Sequence, residues 1–248
     1  MCLFICERNS AMEKLTPFIM CTIFVIAAFF LWKLAVKLSS YAARRKILAQ
    51  NNAASKEATS VILISHFGEF AVRPNVCLPI RTGKTFMYGK IDNIVILPTC
   101  IAVVQVESMR GQIFGNMGKH IWHQSVRMPD GERKEKDFEN PISNNERNIV
   151  ALSKILEHEK ITPPPIYNII IFSSDKVVFS EECPEVYSLT AAINKMKALA
   201  KRNAKNAKIT FSERRRLIRA IKKYSVPVNK AKAHNAKVLR ASVTKEKI

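Results

Sequence analysis

The sequence predicts an α/β protein: a mixed sheet flanked by helices, preceded by one transmembrane helix and followed by a basic helical tail. Three observations predict it. Between about residues 55 and 200, apolar residues recur with helical and strand periods in the order helix, three strands, helix, two strands, helix. Residues 15 to 32, "LTPFIMCTIFVIAAFFLW", are 18 positions without a charge. Residues 195 to 248 hold 18 of the 40 Lys and Arg residues and only two acids, Glu213 and Glu246, so most of the net charge of +20 belongs to the tail. A length of 248 residues that is 48% hydrophobic suits one ordinary domain with attachments. Six scattered cysteines with no CxxC pair exclude a zinc-ligand set or a disulfide framework.

The chain divides into a short segment over 1–14, a membrane helix over 15–36, a juxtamembrane helix over 37–54, a domain over 55–200 and a basic tail over 201–248. At about 1.5 Å per residue, 18 to 22 helical residues span roughly 27 to 33 Å, close to the hydrocarbon thickness of a bilayer. Before this run Arg8 and Lys14 are offset by Glu7 and Glu13, whereas Lys33, Lys37, Arg44, Arg45 and Lys46 follow it with no acid. That asymmetry predicts a single-pass protein at the membrane with its C-terminal domain in the cytoplasm. The rival reading is a signal peptide cleaved after "SYA" at 40–42, against which stand the length of the run and the lack of net positive charge before it.

Residues 38 to 66 read as helix, having no Gly or Pro and much Ala. "FAVRPNVCLPI" is β-like, with Pro74 suggesting an edge strand or a bulge. "IDNIVIL" and "IAVVQVE", joined by "PTC", suit an antiparallel hairpin, and "GQIFG" extends its second strand. Residues 116 to 141 are polar, and the run "DGERKEKD" reads as a solvated loop. Residues 143 to 159 set Ile149, Leu152, Ile155 and Leu156 on one helical face and must end before Pro163–Pro165. "IYNIIIF" and "DKVVFS" are strands, the first central because it is almost continuously apolar. Residues 186 to 207 return to helix.

The polar side chains within the hairpin are the functional signal. Alternation puts Lys90 and Asp92 on one face of the first strand, and Gln105 and Glu107 on one face of the second. Phosphodiester hydrolysis uses such a set: oxygen ligands hold Mg²⁺, which polarises the phosphate and activates water, beside a cation that stabilises developing charge. The bland readings are a turn-capping or surface-paired Asp92 and a solvent-facing Gln105 and Glu107. His120 and His123 flank Trp122 without a third metal ligand in view, and Trp122 reads as a packing residue.

The ordered series "IDNIVI", "VVQVESMRGQIFG", Trp122, "FENPISNN" and "IIIF" resembles the nuclease-related domain (NERD), a branch of the PD-(D/E)XK nuclease superfamily, over roughly residues 55 to 190. The resemblance implies a restriction-endonuclease-like sheet and Mg²⁺-dependent cleavage of nucleic acid, DNA first; the basic tail, with almost no aromatics and no recognisable reading motif, supports attraction without sequence specificity. It places Asp92 on the family's metal-binding aspartate, Gln105 where the family has the acid of its E-x-K element, Glu107 on the lysine position, and Asn144 where a Gln is usual. The N-terminal glutamate of the family falls on Glu57 by spacing or Glu69 by local match, Glu57 being preferred. In a cleaving enzyme Asp92 and Glu107 hold the ion, Gln105 and Glu57 orient ligands or water, and Lys90 supports the phosphate. The alternative is a catalytically inactive interaction module that tethers DNA or a protein partner at the membrane.

In the tail, Ser212 reads as the N-cap of a helix with Leu217, Ile218, Ile221 and Tyr224 on one side. Arg214, Arg215, Arg219, Lys222 and Lys223 occupy the rest. Such a helix follows nucleic-acid phosphates, lies on anionic lipid, or docks its apolar stripe on the domain. Residues 225 to 248 read as partly disordered.

Overall fold

A computed structural model describes residues 20, 24–36, 53–83, 85–202 and 208–245. The chain forms two compact units, Met1–Asn51 and Asn52–Ile248. In the first, residues 20 and 24–36 are helical, and Phe24, Phe30, Leu31 and Trp32 are exposed. The remainder of the predicted span over 15–36, and residues 37–52 of the predicted juxtamembrane helix, lie outside the described residues. Among the described residues no helix is long and apolar enough to cross a membrane.

The second unit is layered. Its central sheet has the order β1 (Val72–Thr82), β2 (Thr85–Ile96), β3 (Ile101–Glu107), β7 (Ile166–Phe172), β9 (Val186–Ser188). The first three strands are antiparallel, and β3, β7 and β9 run parallel. The parallel step from β3 to β7 requires a crossover, which contains α2 (Pro141–His158). Alternation along β3 divides the core. Ala102, Val104 and Val106 pack with Leu63 of α1 (residues 53–67) and with Ala192, Ile193, Met196 and Leu199 of α3 (Leu189–Arg202). Ile101 and Val103 pack on the opposite face with Leu152, Ile155 and Leu156 of α2 and Leu217, Ala220 and Ile221 of α4 (Phe211–Tyr224). Each fully buried aliphatic side chain is worth about 1.5–3 kcal/mol of transfer free energy, so the two layers hold the sheet from both sides.

The single sheet expected from the sequence is therefore two mixed sheets. The second has the order β6 (Arg133–Glu139), β5 (Ile121–Arg127), β4 (Gly111–Phe114), β8 (Val177–Phe179). "GQIFG" does not extend β3: Gly111, at φ 86°, starts a new strand, and a Cβ there would stand 2.5 Å from the Ser125 carbonyl oxygen. The run read as a solvated loop is mostly strand β6, reached by a turn in which the N–H of Met128 donates to Glu132 O. Its pattern hid it because only Phe138 turns inward, against a fully buried Trp122. A charged edge strand also discourages pairing with other chains. The strand "DKVVFS" is β8, paired parallel with β4.

The tail is built into this unit. Thr210, not Ser212, caps α4: its Oγ1 accepts from the Glu213 N–H, and Glu213 Oε2 accepts from the Thr210 N–H at 2.7 Å, a reciprocal capping box. Of the three readings of this helix, its apolar stripe docks on the sheet. The partly disordered reading of 225–248 is corrected over the described residues by α5 (Val228–Lys245), which lies against β2; residues 246–248 lie outside the described residues. β2 extends beyond β3, which leaves backbone groups of its first half unpaired by a strand. The Asn235 side chain meets that need, accepting from Tyr88 N at 2.7 Å and donating to Tyr88 O at 2.8 Å, while His234 stacks on Phe86 at 4.6 Å.

Candidate functional site

The site arises where the central strands come apart. Along β1, Val72 packs into the α1/α3 layer but Val76 and Leu78 into the α2/α4 layer; along β2, Val95 and Ile91 divide the same way. Residues four apart on a regular strand share a face, so both strands turn over between these positions. The turnover lies between the pairs Pro74–Asn93 and Val76–Ile91, where Asn75 adopts φ 54°, a conformation asparagine tolerates better than most residues. Asp92 sits there. Pairing of β2 with β3 also stops at Asn93–Val104, one residue short of it. The Val106 N–H donates instead to Asp92 Oδ2 at 3.0 Å.

Two ammonium groups complete the surroundings of this carboxylate. Lys56 Nζ on α1 is 2.7 Å from Oδ2, and Lys90 Nζ on β2 is 3.0 Å from Oδ1. Asp92 is only 4% exposed. Burial alone would push its carboxyl up, but Lys56 and Lys90, with the Val106 hydrogen bond, hold it below the ordinary carboxylate range. Glu107 has the opposite balance: burial pushes its carboxyl up, over the opposing pull of Lys56 and a hydrogen bond from Gln105. Gln105 is oriented from both ends, donating to Glu107 Oε1 at 2.7 Å and accepting from Asn144 Nδ2 on α2 at 3.4 Å. The Asn140 side chain starts α2 by accepting from Ile142 N, with Pro141 in the first turn. Ser55 Oγ lies 2.6 Å from Ser173 Oγ, and Ser173 N donates to Glu107 O, which fastens α1 to the end of β7 beside the site.

A hairpin whose ends splay around a buried aspartate, with Gln105 and Glu107 on the neighbouring strand and an asparagine reaching in from the next helix, reproduces the motif order read from the sequence. The family model for the nuclease-related domain matches residues 50–173, half of the chain. The chain belongs to the nuclease-related domain family. No curated protein and no solved structure matches it.

Of the residues proposed from the sequence, the NERD fold brings together Asp92, Lys90, Gln105 and Glu107, with Asn144 behind Gln105. It does not bring Glu57 or Glu69, both exposed; the Glu57 side chain makes no hydrogen bond or ion pair with a described residue. Lys56, one position earlier and about 100° around the helix, reaches Asp92 instead. Lys56 escaped notice although the signal was present: it lies three, four and seven positions before Thr59, Ser60 and Leu63, the buried stripe of α1. His123 pairs with Asp137 at 2.7 Å and with Glu135 at 3.5 Å on the exposed face of the second sheet.

Membership of the family loosely suggests a divalent metal, and the donor set can be judged against one. Mg²⁺ requires near-octahedral oxygen ligation at about 2.0–2.1 Å with free carboxylate lone pairs. Both oxygens of Asp92 already accept ammonium hydrogen bonds, and Glu107 is the other carboxylate of the site. Among the described residues no group of three or more His, Cys, Asp or Glu side chains is arranged to hold a metal. As arranged, the residues do not fit the ion.

Arg215, Arg219 and Arg73 surround a groove of about 520 Å³ beside the exposed Phe70, and Arg215 stacks over Phe211 at 5.3 Å. Arg214 lies near Lys197 and Lys201, Lys222 is exposed, and Lys223 is bound to Glu159 at 2.7 Å.

Proposed function

We propose that this NERD protein binds nucleic acid, DNA in the first place, through its phosphate backbone, on a restriction-endonuclease-like site that has lost metal-dependent cleavage. The observation that carries this is the pair of ammonium groups around Asp92, each with donors left for a phosphate oxygen and each 29–37% exposed. The arginines of α4 add sequence-independent attraction, for which the net charge of +20 is suited. The hydrophobic segment over residues 15–36 attaches the domain to a membrane on its cytoplasmic side, where the exposed α4 cations also favour anionic lipid. What supports attachment is the uncharged run and the basic residues that follow it.

Binding of a fluorescent duplex to the full chain in detergent tests the first part. The affinity is expected to fall steeply with salt, and to drop about tenfold when Lys56 and Lys90 are both replaced by Met. Affinity independent of salt and of both lysines overturns the proposal. Membrane attachment is read by alkaline extraction, which is expected to leave the chain in the pellet and to release a chain lacking residues 1–36.

A cleaving enzyme is the second reading, favoured by family membership and by the opposite directions in which the Asp92 and Glu107 carboxyls are shifted, a pattern that suits acid–base work. Divalent-ion-dependent nicking of plasmid DNA that disappears in Asp92→Ala would replace the first reading with this one.

A further inference from the structure

A nuclease-type site needs positive charge beside the scissile phosphate, and a metal ion is one way to supply it. Here that place next to Asp92 is taken by protein. Lys56 Nζ sits 2.7 Å from Oδ2, the oxygen that also accepts from Val106 N, and Lys90 Nζ holds Oδ1 at 3.0 Å. Lys56 does not reach there by chance of a long side chain: the buried Thr59, Ser60 and Leu63 fix the facing of α1, and Ser55 is tied to Ser173 at the mouth of the site. An ion entering would have to displace a charge-assisted hydrogen bond at a carboxylate that is only 4% exposed and then sit beside two ammonium groups that repel it.

We propose that the Lys56 ammonium stands in for the divalent ion of this site, so that the site rejects metal cations and accepts a phosphodiester oxygen directly. The phosphate half rests on the reading given above. The metal half does not, because it is measured without nucleic acid, and so the two can fail separately.

The test is Mn²⁺ binding to the full chain in detergent, followed by electron paramagnetic resonance of the free ion. The native chain is expected to show no Asp92-dependent binding up to about 1 mM Mn²⁺. Lys56→Glu removes the ammonium and adds a third carboxylate from α1, and is expected to create one site with at least about tenfold higher affinity, lost again in the Lys56→Glu/Asp92→Asn double variant. Lys56→Met, which removes the charge while keeping the stem, is expected to give a smaller rise of about threefold and serves if Lys56→Glu fails to fold. Asp92-dependent binding by the native chain overturns the proposal. So does the absence of any gain in a Lys56 variant whose circular dichroism is native.

Discussion

Replacing Asp92 by Asn isolates what the buried carboxylate does. The amide oxygen can still accept from Val106 N, but the two ammonium groups 2.7 and 3.0 Å away lose their counter-charge. Breaking a buried ion pair by removing one partner costs about 3–5 kcal/mol when the survivor stays trapped. Lys56 and Lys90 are 29% and 37% exposed and can turn toward water, so the expected loss is about 2 kcal/mol at neutral pH. The assay is urea unfolding of the full chain in detergent, followed by circular dichroism, at a series of pH values. Because the folded carboxyl is held below its ordinary value of 3.8, the folded state binds fewer protons than the unfolded state through that range. The stabilisation is therefore complete above 3.8 and is lost as pH falls through the folded value, where the native chain and Asp92→Asn should converge. Adding Lys56→Met to Asp92→Asn should recover about 1 kcal/mol, since it removes one of the uncompensated charges. A loss below about 0.5 kcal/mol, or one that is equally large in acid, refutes the reasoning.

Glu107 should behave with the opposite sign. Burial pushes its carboxyl above 4.5, so the folded state holds the proton longer and stability falls as pH rises through the folded value; Glu107→Gln should remove that slope and stabilise the neutral protein by on the order of 1 kcal/mol in the same unfolding series. Asn235→Ala deletes both hydrogen bonds to Tyr88 and should cost about 1–3 kcal/mol, read as faster amide exchange along the first half of β2. Gly115→Ala places a Cβ 2.3 Å from the Trp122 ring and should cost about 1–3 kcal/mol, with altered tryptophan fluorescence and a lower melting temperature.

The layered core was legible in the sequence because β3 and β7 announce themselves: "IAVVQVE" and "IYNIIIF" are apolar enough to be buried on both faces. The second sheet was not, since β6 carries one inward apolar residue among seven and owes its conformation to backbone pairing with β5, which composition does not encode. The same distinction holds at the site. Asp92, Gln105 and Glu107 stood out as polar residues inside apolar strands, whereas Lys56 looked like any solvent-facing lysine of an Ala-rich helix. Its meaning depends on how α1 is rotated, and a single-residue step decided between a carboxylate and an ammonium.

The tail shows how charge and packing can share one helix. Seven of the fourteen residues of α4 are Arg, Lys or Glu, yet Leu217, Ala220 and Ile221 are nearly inaccessible and Thr210 seals the first turn. Its cations are consequently held at fixed positions on a folded surface, and they differ in availability. Lys223 is tied to Glu159, whose carboxylate also accepts from Tyr224, so freeing Lys223 for a phosphate gives up its charge-assisted hydrogen bond to a carboxylate already held in place. Arg219 and Arg215 line an open groove with Arg73 from the start of β1. A backbone phosphate therefore finds lower desolvation cost at the arginines than at Lys223, and the three arginines, brought from β1 and α4, act as one surface only while the domain is folded. Electrostatic attraction in this protein is then a property of its tertiary structure, and any loosening of α4 from the sheet should weaken binding along with stability.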